Sequence, residues 1–513
     1  MATSNYQVPG VYVTQSTSAL TTVSPTDLRI AIVADQPTLG IQTDTFTVPV
    51  ATSGITLGQL TVPMVNLSST GAYTSYSGFS VTWVSGTTSV TGTYGVNFNI
   101  STASGISYLT TSGVSASVSA LPSGNVNIQY GHYWGAYGTY YNQNSVVSAI
   151  GTAVSGTSIL NPAVLASQLA FQNGASTVTI VPVARLATSN SGVATTSDWV
   201  NTFNVSTSGS SQIFLSNTST NVVVPLNGLN NSATGQLTTA SASGTVASGI
   251  ANYFTVQQNA GNYQRGFLGV DGTSTFITVT GIQTLASGFN SSRISLAFPA
   301  VLNYNPGLNT STGLSNVTFN IPGYYLAAAV AGTFVGQQPD VSTPITNKQV
   351  YGFNDIPNQI SLNDAATSYL PYGIMVVRKK SDGYFWVLQG LTTNTSTWLT
   401  QEISINAIGD RLAQLVRSDL VNSYLVGGPL TKNTSAAVIA TVQATLTNAL
   451  SKGLIQSYQN LNLTLNPATP TTVSITFQYA PTYPINYIQA SLSLNTQTGQ
   501  VVYGNAQSNF VVY

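Results

Sequence analysis

The chain has 513 residues, enough for several domains with sizeable cores. It carries 12 Lys and Arg against 12 Asp and Glu, and charged residues make up only 5% of it, where about 25% is ordinary for a soluble domain. This balance leaves no basic surplus for nucleic acid or anionic lipid, the lack of Cys excludes disulfides and thiolate chemistry, and a hydrophobic fraction of 42% argues against disorder.

A charge-poor, neutral surface repels itself weakly, which favours association. Residues 1–7 (MATSNYQ) have neither the basic nor the apolar region of a signal peptide, so none is expected. No apolar run approaches the roughly 20 residues of a membrane span, so membrane insertion is not expected either. The charges are unevenly spread. None falls between Phe46 and Ala184, while 15 lie between Asp340 and Lys452, which points to distinct modules.

In chain order, residues 6–15 (YQVPGVYVTQ) are β-prone and too short to be stable alone. Val8, Val11, Tyr12 and Val13 flank a break at Pro9 and Gly10. The run reads as an arm that adds a strand to a neighbouring subunit, or as an edge strand docked on its own domain. Residues 28–34 (LRIAIVA) are a continuous apolar run suited to a buried strand. Residues 46–130 alternate β-branched or aromatic residues with Gly, Ser and Thr, with strands expected at 46–50, 79–84, 94–100 and 126–130. That pattern predicts an antiparallel β insertion. Residues 130–141 are rich in aromatics and hold the only histidine, His132, either as a stacking patch or as a packed strand edge.

Residues 161–174 carry helix signals: Asn161 as cap, Pro162 at the first position, Asn173-Gly174 at the close. A buried strand at 178–183 follows, and the strand–helix–strand rhythm predicts an α/β core. A second β-rich insertion is expected over 186–245, then a helix over 246–260 and strands at 267–270, 276–279, 294–298 and 317–321. Residues 324–335 suit a helix whose small residues permit close packing. Ser381-Asp382-Gly383 marks a hairpin between strands at 373–377 and 384–388, with Arg378, Lys379 and Lys380 beside it as a solvated tip or a partner contact. Helices at 406–425 and 433–452 repeat apolar residues at helical spacing. Short strands at 462–465, 472–478, 488–494, 501–503 and 510–513 end the chain.

Catalytic signatures are missing. One His cannot build a histidine metal cage, and neither a GxSxG elbow nor a GxxxxGK loop is present. Asp27, Asp35 and Asp44 lack the spacing of a calcium loop. Asp340, Asp355, Asp364 and Asp382 are the candidates for a glycosidase pair, against the ordinary reading as turn and cap residues. No cofactor, metal or catalytic residue is expected.

Taken together, these stretches resemble the tail sheath family of contractile-tailed phages. The resemblance rests on PGVYV at 9–13, TDLRIAIVADQPTLG at 26–40 and NPAVLASQLAFQNGASTVTIVPV at 161–183. It continues through Thr392-Thr393, residues 403–407 leading into an Asp410-Arg411 helix, and APTYPINYI at 480–488. Many members carry Trp-Gly-Ala-Arg-Thr where this chain reads VLQGLT at 387–392, so the charge at that point is not retained.

The resemblance implies a mixed α+β, multidomain chain: an α/β sheath core with β-rich insertion domains and extended N- and C-terminal β arms. The expected divisions are an arm at 1–20, a core at 21–45, 131–185 and 246–370, insertions at 46–130 and 186–245, an inner domain at 371–499 and a second arm at 500–513. It implies a non-enzymatic subunit of stacked hexameric rings around a tail tube, contracting to drive the tube through the host envelope and deliver a genome. Val8, Pro9, Gly10, Val11, Tyr12 and Val13 would form one intersubunit arm, and Val501, Val502, Tyr503, Phe510, Val511 and Val512 the other. Arg378, Lys379, Lys380, Lys432 and Lys452 are candidate contacts to the tube or a neighbour. Implied partners are further copies, the tube protein, and baseplate and tail terminator proteins, with no direct nucleic acid. The implied location is the virion tail, assembled in the host cytoplasm. A phage-derived bacteriocin or injection device, or a β-rich adhesin or S-layer subunit, remains the alternative.

Overall fold

An apolar run with no polar face, such as 28–34, is stable as a strand only when both sides of its sheet are covered. In the computed structural model Ile30–Ala34 is such a strand, fully buried, inside a nine-stranded sheet. The structure describes residues 29–35, 39–48, 54–56, 80–85, 88–92, 99–103, 106–110, 124–133, 138–155, 157–183, 194–204, 222–230, 237–260, 262–273, 277–307, 318–336, 343–423, 431–465, 473–484, 493–494 and 501–502.

From one edge the sheet runs Gln349–Val350, Phe385–Val387, Ile374–Lys379, Ile294–Phe298, Arg265–Gly269, Val222–Pro225, Ile30–Ala34, Val178–Pro182 and Gly138–Tyr140. The strands from Ile374–Lys379 to Val178–Pro182 are parallel, and the outer ones are antiparallel. The chain starts at Ile30–Ala34, adds Val178–Pro182 on one side, then returns to add all later parallel strands on the other. Alternate residues face opposite layers. Ile30, Ile32 and Ala34 share a core with helices Pro162–Gln172 and Tyr324–Val335. Ala31 and Val33 pack with helices Val246–Asn259 and Val279–Phe289. This is a doubly wound α/β layer arrangement, as the strand–helix rhythm predicts.

Local chemistry explains most elements and two departures. Thr245 caps Val246–Asn259 in a reciprocal box with Ser248. Asn161 sits at the cap position of Pro162–Gln172 but makes no cap bond there; its amide donates to the Thr152 carbonyl at 2.7 Å instead. Of the strand expected at 276–279, Phe276 lies outside the described residues, and Thr278 caps a helix, Val279–Phe289, that begins where the strand was to end. Its buried residues Ile282, Leu285, Ala286 and Phe289 follow helical spacing, which Gly281, Gly288 and the β-branched Val279 and Thr280 obscure in the sequence. Helices Gln143–Ile150 and Thr196–Thr202 were not expected either, although Asn142 and Thr195 cap them.

The β insertion holds an antiparallel ladder of Leu39–Val48 with Gly124–Tyr133, extended by Ser80–Ser85 and Thr88–Gly92. Its pairing begins at Leu39, seven residues before the expected boundary. A separate sheet joins Gly54–Thr56, Ile106–Thr110 and Asn99–Ala103. His132 lies in Gly124–Tyr133 opposite Gly40.

Helices Pro162–Gln172 and Tyr324–Val335 cross at backbone contact. A Cβ on Gly332 would overlap the Ala170 carbonyl, and one on Gly336 would meet the Gly174 Cα at 2.9 Å. Gly332→Ala is therefore expected to destabilise the fold by about 1–3 kcal/mol despite its better helix propensity, measurable by urea denaturation. Burial also holds the Tyr253 and Tyr325 phenols well above the ordinary tyrosine value, the Gln264 acceptor opposing it at Tyr253. Below pH about 10 both folded and unfolded chains keep these protons; above it only the unfolded chain loses them, so stability falls as pH rises. Phenolate absorbance from this subset is expected to rise together with the loss of far-ultraviolet circular dichroism, and not before it.

Candidate assembly interface

After the sheet, the chain builds a unit with its own core. Helix Ile403–Asn422 buries Ile408, Leu412, Val416 and Leu420 against Val442, Leu446 and Ala449 of helix Lys432–Ser451. Thr431 caps the second helix by accepting from the Thr434 amide at 3.1 Å. On this pair lies a ribbon of two antiparallel strands, Ile455–Leu465 and Val473–Pro481. Tyr458, Leu461, Ile475, Phe477 and Tyr479 line its half-buried face. The register slips between Gln459 and Asn462, where Asn460 takes φ 57° and donates to Gln478 at 2.8 Å.

Among the described residues neither ribbon strand pairs with a third. Each therefore presents one edge of backbone donors and acceptors able to take an added strand. At the base of the ribbon, Trp398 (61% exposed) and Tyr483 lie with ring centroids 5.3 Å apart, beside the exposed Leu399.

Of the expected arm residues, Val8, Pro9, Gly10, Val11, Tyr12 and Val13 lie outside the described residues, as do Tyr503, Phe510, Val511 and Val512. Val501 and Val502 form a strand paired antiparallel with Leu494 and Ser493 of the same chain. The basic residues are divided. Lys379 contacts Asp355 at 3.0 Å and lies 5.8 Å from the Phe385 ring centre. Lys380 sits 4.2 Å over the Trp386 ring and donates to Asn347 at 3.3 Å. Arg378 pairs with Trp386 in the ladder, and its Nε is buried with no hydrogen-bond partner among the described residues. Lys432 opens the second helix and the exposed Lys452 closes it, where a cation suits the helix dipole.

The aspartates considered for chemistry hold turns and caps. Asp35 accepts from the Ala194 amide at 2.6 Å. Asp364 accepts from Ser361 at 2.7 Å, and Asp382 from the Tyr384 amide at 2.9 Å. Lys379 lowers the Asp355 pKa by hydrogen bonding to it. Asp27 and Asp340 lie outside the described residues. Among those described, no three His, Cys, Asp or Glu side chains gather as for a metal.

One cluster was invisible in the sequence. Asp410, on Ile403–Asn422, contacts both Arg265 and Arg293, and all three are buried. The arginines lie 145 and 117 residues away, so no local pattern joins them.

No family model matches the chain. Over 253 residues it is 26% identical to a tail sheath protein of Mycobacterium phage Bxz1, covering 49% of this chain and 42% of that protein. The chain thus spans less than half the length of this curated relative. The anti-feeding prophage helical sheath in its contracted state superposes with a TM-score of 0.51 at 12% identity, covering 96% of this chain and 100% of that one. A sheath tail protein from Listeria innocua superposes more loosely, with a TM-score of 0.44 at 11% identity over 90% of this chain and 94% of its own. The resemblance to tail sheath proteins therefore holds in sequence, and the mixed α/β fold is that of a helical sheath subunit.

Leu446 is fully buried beneath the ribbon. Leu446→Ala is expected to cost about 2–5 kcal/mol, read from the urea midpoint. Asp355→Asn, which breaks a mostly exposed pair, is expected to shift stability by under about 1 kcal/mol in the same assay.

Proposed function

We propose that the chain is a structural, non-catalytic subunit of a contractile tail sheath. It polymerises as stacked hexameric rings around a tail tube, and the cylinder shortens to drive the tube through the host envelope for genome delivery. The observation that carries this reading is the two-stranded ribbon whose two outer edges are unpaired among the described residues, in a chain with the fold of a helical sheath subunit. Two edges suit two incoming strands from neighbouring copies, one around residues 8–13 and one within 501–512. Val501–Val502, paired on one side with Ser493–Leu494, has its other edge unpaired among the described residues.

The energetics require side chains as well as hydrogen bonds. A five-residue strand forms about four ladder bonds worth roughly 0.5–1.5 kcal/mol each, while ordering it costs about 1–2 kcal/mol per residue. Burial of Val8, Val11, Tyr12 and Val13, at roughly 1.5–3 kcal/mol per fully buried apolar side chain, turns the balance. Two arms per subunit then act multivalently: with one engaged, the other rebinds at high effective concentration. The domains can rotate while the mesh of chains stays joined. Contraction without nucleotide requires two packings of the same subunits that differ in free energy, and a few kcal/mol per subunit summed over a cylinder does the work.

In this reading the ribbon-bearing unit that begins with helix Ile403–Asn422 faces the tube and the insertion at 46–130 faces outward. The divisions expected at 186–245 and 371–499 are narrowed accordingly, because Val222–Pro225 and Ile374–Lys379, which they include, are inner strands of the nine-stranded sheet. Further partners are the tube, baseplate and terminator proteins, and the location is the tail of a virion assembled in the host cytoplasm. A second reading, the sheath of an injection device without a genome, is favoured by the fold match to the anti-feeding prophage sheath. Nucleic acid packaged with purified particles separates the two.

Deleting residues 1–15 is expected to abolish cylinders in negative-stain micrographs while leaving the melting temperature unchanged. Persistent cylinders would overturn the arm assignment. With 5% charged residues, the contraction threshold is expected to move little between low and moderate salt, since few ion pairs exist to be screened.

A further inference from the structure

Helix Ile403–Asn422 belongs to two cores. Ile403 and Ala407, in its first turns, are buried with the sheet. Ile408, Leu412, Val416 and Leu420 belong to the separate core under the ribbon. A helix held by apolar contacts at one end can swing about that end, because hydrophobic contact is non-directional. Asp410 sits just past the point where the helix leaves the sheet core. Its Oδ2 meets Arg265, the first residue of strand Arg265–Gly269, and Arg293, the residue before strand Ile294–Phe298.

The surroundings fix all three groups. Arg265 also donates to the Ser292 carbonyl at 3.3 Å, and the Arg293 guanidinium lies 5.6 Å from the Tyr263 ring centre. Nearby, Thr393 donates its amide to the Ile294 carbonyl at 2.8 Å and accepts from the Ser291 amide at 3.1 Å. The phenol of Tyr479, on the ribbon, has its pKa pushed up to about 12 by burial and by the Asp410 charge. The cluster is poorly suited to stabilising the fold. Two arginines face one carboxylate, and Asp410 Oδ1 and Arg293 Nε are buried without hydrogen-bond partners among the described residues. Buried ion clusters of this kind stabilise little compared with apolar side chains of similar size, but their geometry is directional.

We propose that Arg265, Arg293 and Asp410 are positioning residues that set the angle between the sheet body and the ribbon-bearing unit, so that the ribbon edges meet strands of neighbouring copies in register. The assembly part of this inference rests on the sheath reading; the angle does not.

Because the chain has no Cys, spin labels at Thr284→Cys and Gln459→Cys, both exposed, report the angle as one distance distribution in unassembled protein. The test variant combines Arg265→Met, Arg293→Leu and Asp410→Leu. It is expected to melt at or above the temperature of the unsubstituted chain, to broaden the distance distribution, and to raise the concentration needed for cylinders at least tenfold. Arg293→Met alone, which leaves a balanced Arg265–Asp410 pair, covers the case where the triple variant fails to fold. It is expected to broaden the distribution, and Arg293→Lys to restore it. A narrow distribution in both the triple variant and Arg293→Met, whatever their melting temperatures, would overturn the proposal. If the unsubstituted chain forms no cylinders, the sheath reading fails, and the distance widths still decide the role of the triad.

Discussion

Covering both faces of a parallel sheet is the constraint from which the body of this molecule follows. The inner strands carry almost no polar side chains, so each face must be sealed by helices. One seal is the pair Pro162–Gln172 and Tyr324–Val335, drawn together at Gly332 and Gly336 until backbone touches backbone. The other is the pair Val246–Asn259 and Val279–Phe289. Sealing both faces takes most of the buried apolar residues among those described, and the C-terminal unit assembles a smaller core of its own around Leu412, Val416, Val442 and Leu446. The body can then act as a rigid block, with the chemistry of association left to its margins.

Much of this was legible in the sequence because it depends on local signals. A continuous apolar run marked Ile30–Ala34 as a buried strand, β-prone stretches marked Val178–Pro182 and Ile294–Phe298 as strands, and Pro162 and Asn173-Gly174 bracketed their helix. The hairpin at Ser381-Asp382-Gly383 was equally plain, its Gly383 held at φ 84°. Where the reading failed, two local preferences competed. The strand expected at 276–279 ran up to Val279, where burial of Ile282, Leu285 and Phe289 against the sheet instead starts a helix. At Asn161 the cap position was right, but the side chain turns its amide to donate to the Thr152 carbonyl and its Oδ1 accepts no helix amide.

The candidate interface was legible only in part. The ribbon strands were expected only as short segments at 462–465 and 472–478, and they extend to Ile455–Leu465 and Val473–Pro481. That two strands pair in this ribbon among the described residues is a property of the fold, and no residue pattern declares it. The Arg265–Asp410–Arg293 cluster was hidden for a different reason: its members share no segment, and a charged residue in sequence looks the same whether it ends up solvated or buried. The lysines of the hairpin show the converse. Lys379 and Lys380 read as a free basic tip, yet one leans on Asp355 and the other on Trp386.

The ladder between Leu39–Val48 and Gly124–Tyr133 has a consequence for variation. It sends the chain out from the first strand of the body and brings it back along the neighbouring track, so the whole excursion is anchored as a single long loop would be. Closing such a loop depends only weakly on its length. Segments beyond that stem can lengthen, shorten or be exchanged for foreign sequence without displacing Ile30–Ala34, which makes this excursion the natural place to graft a passenger sequence onto the chain.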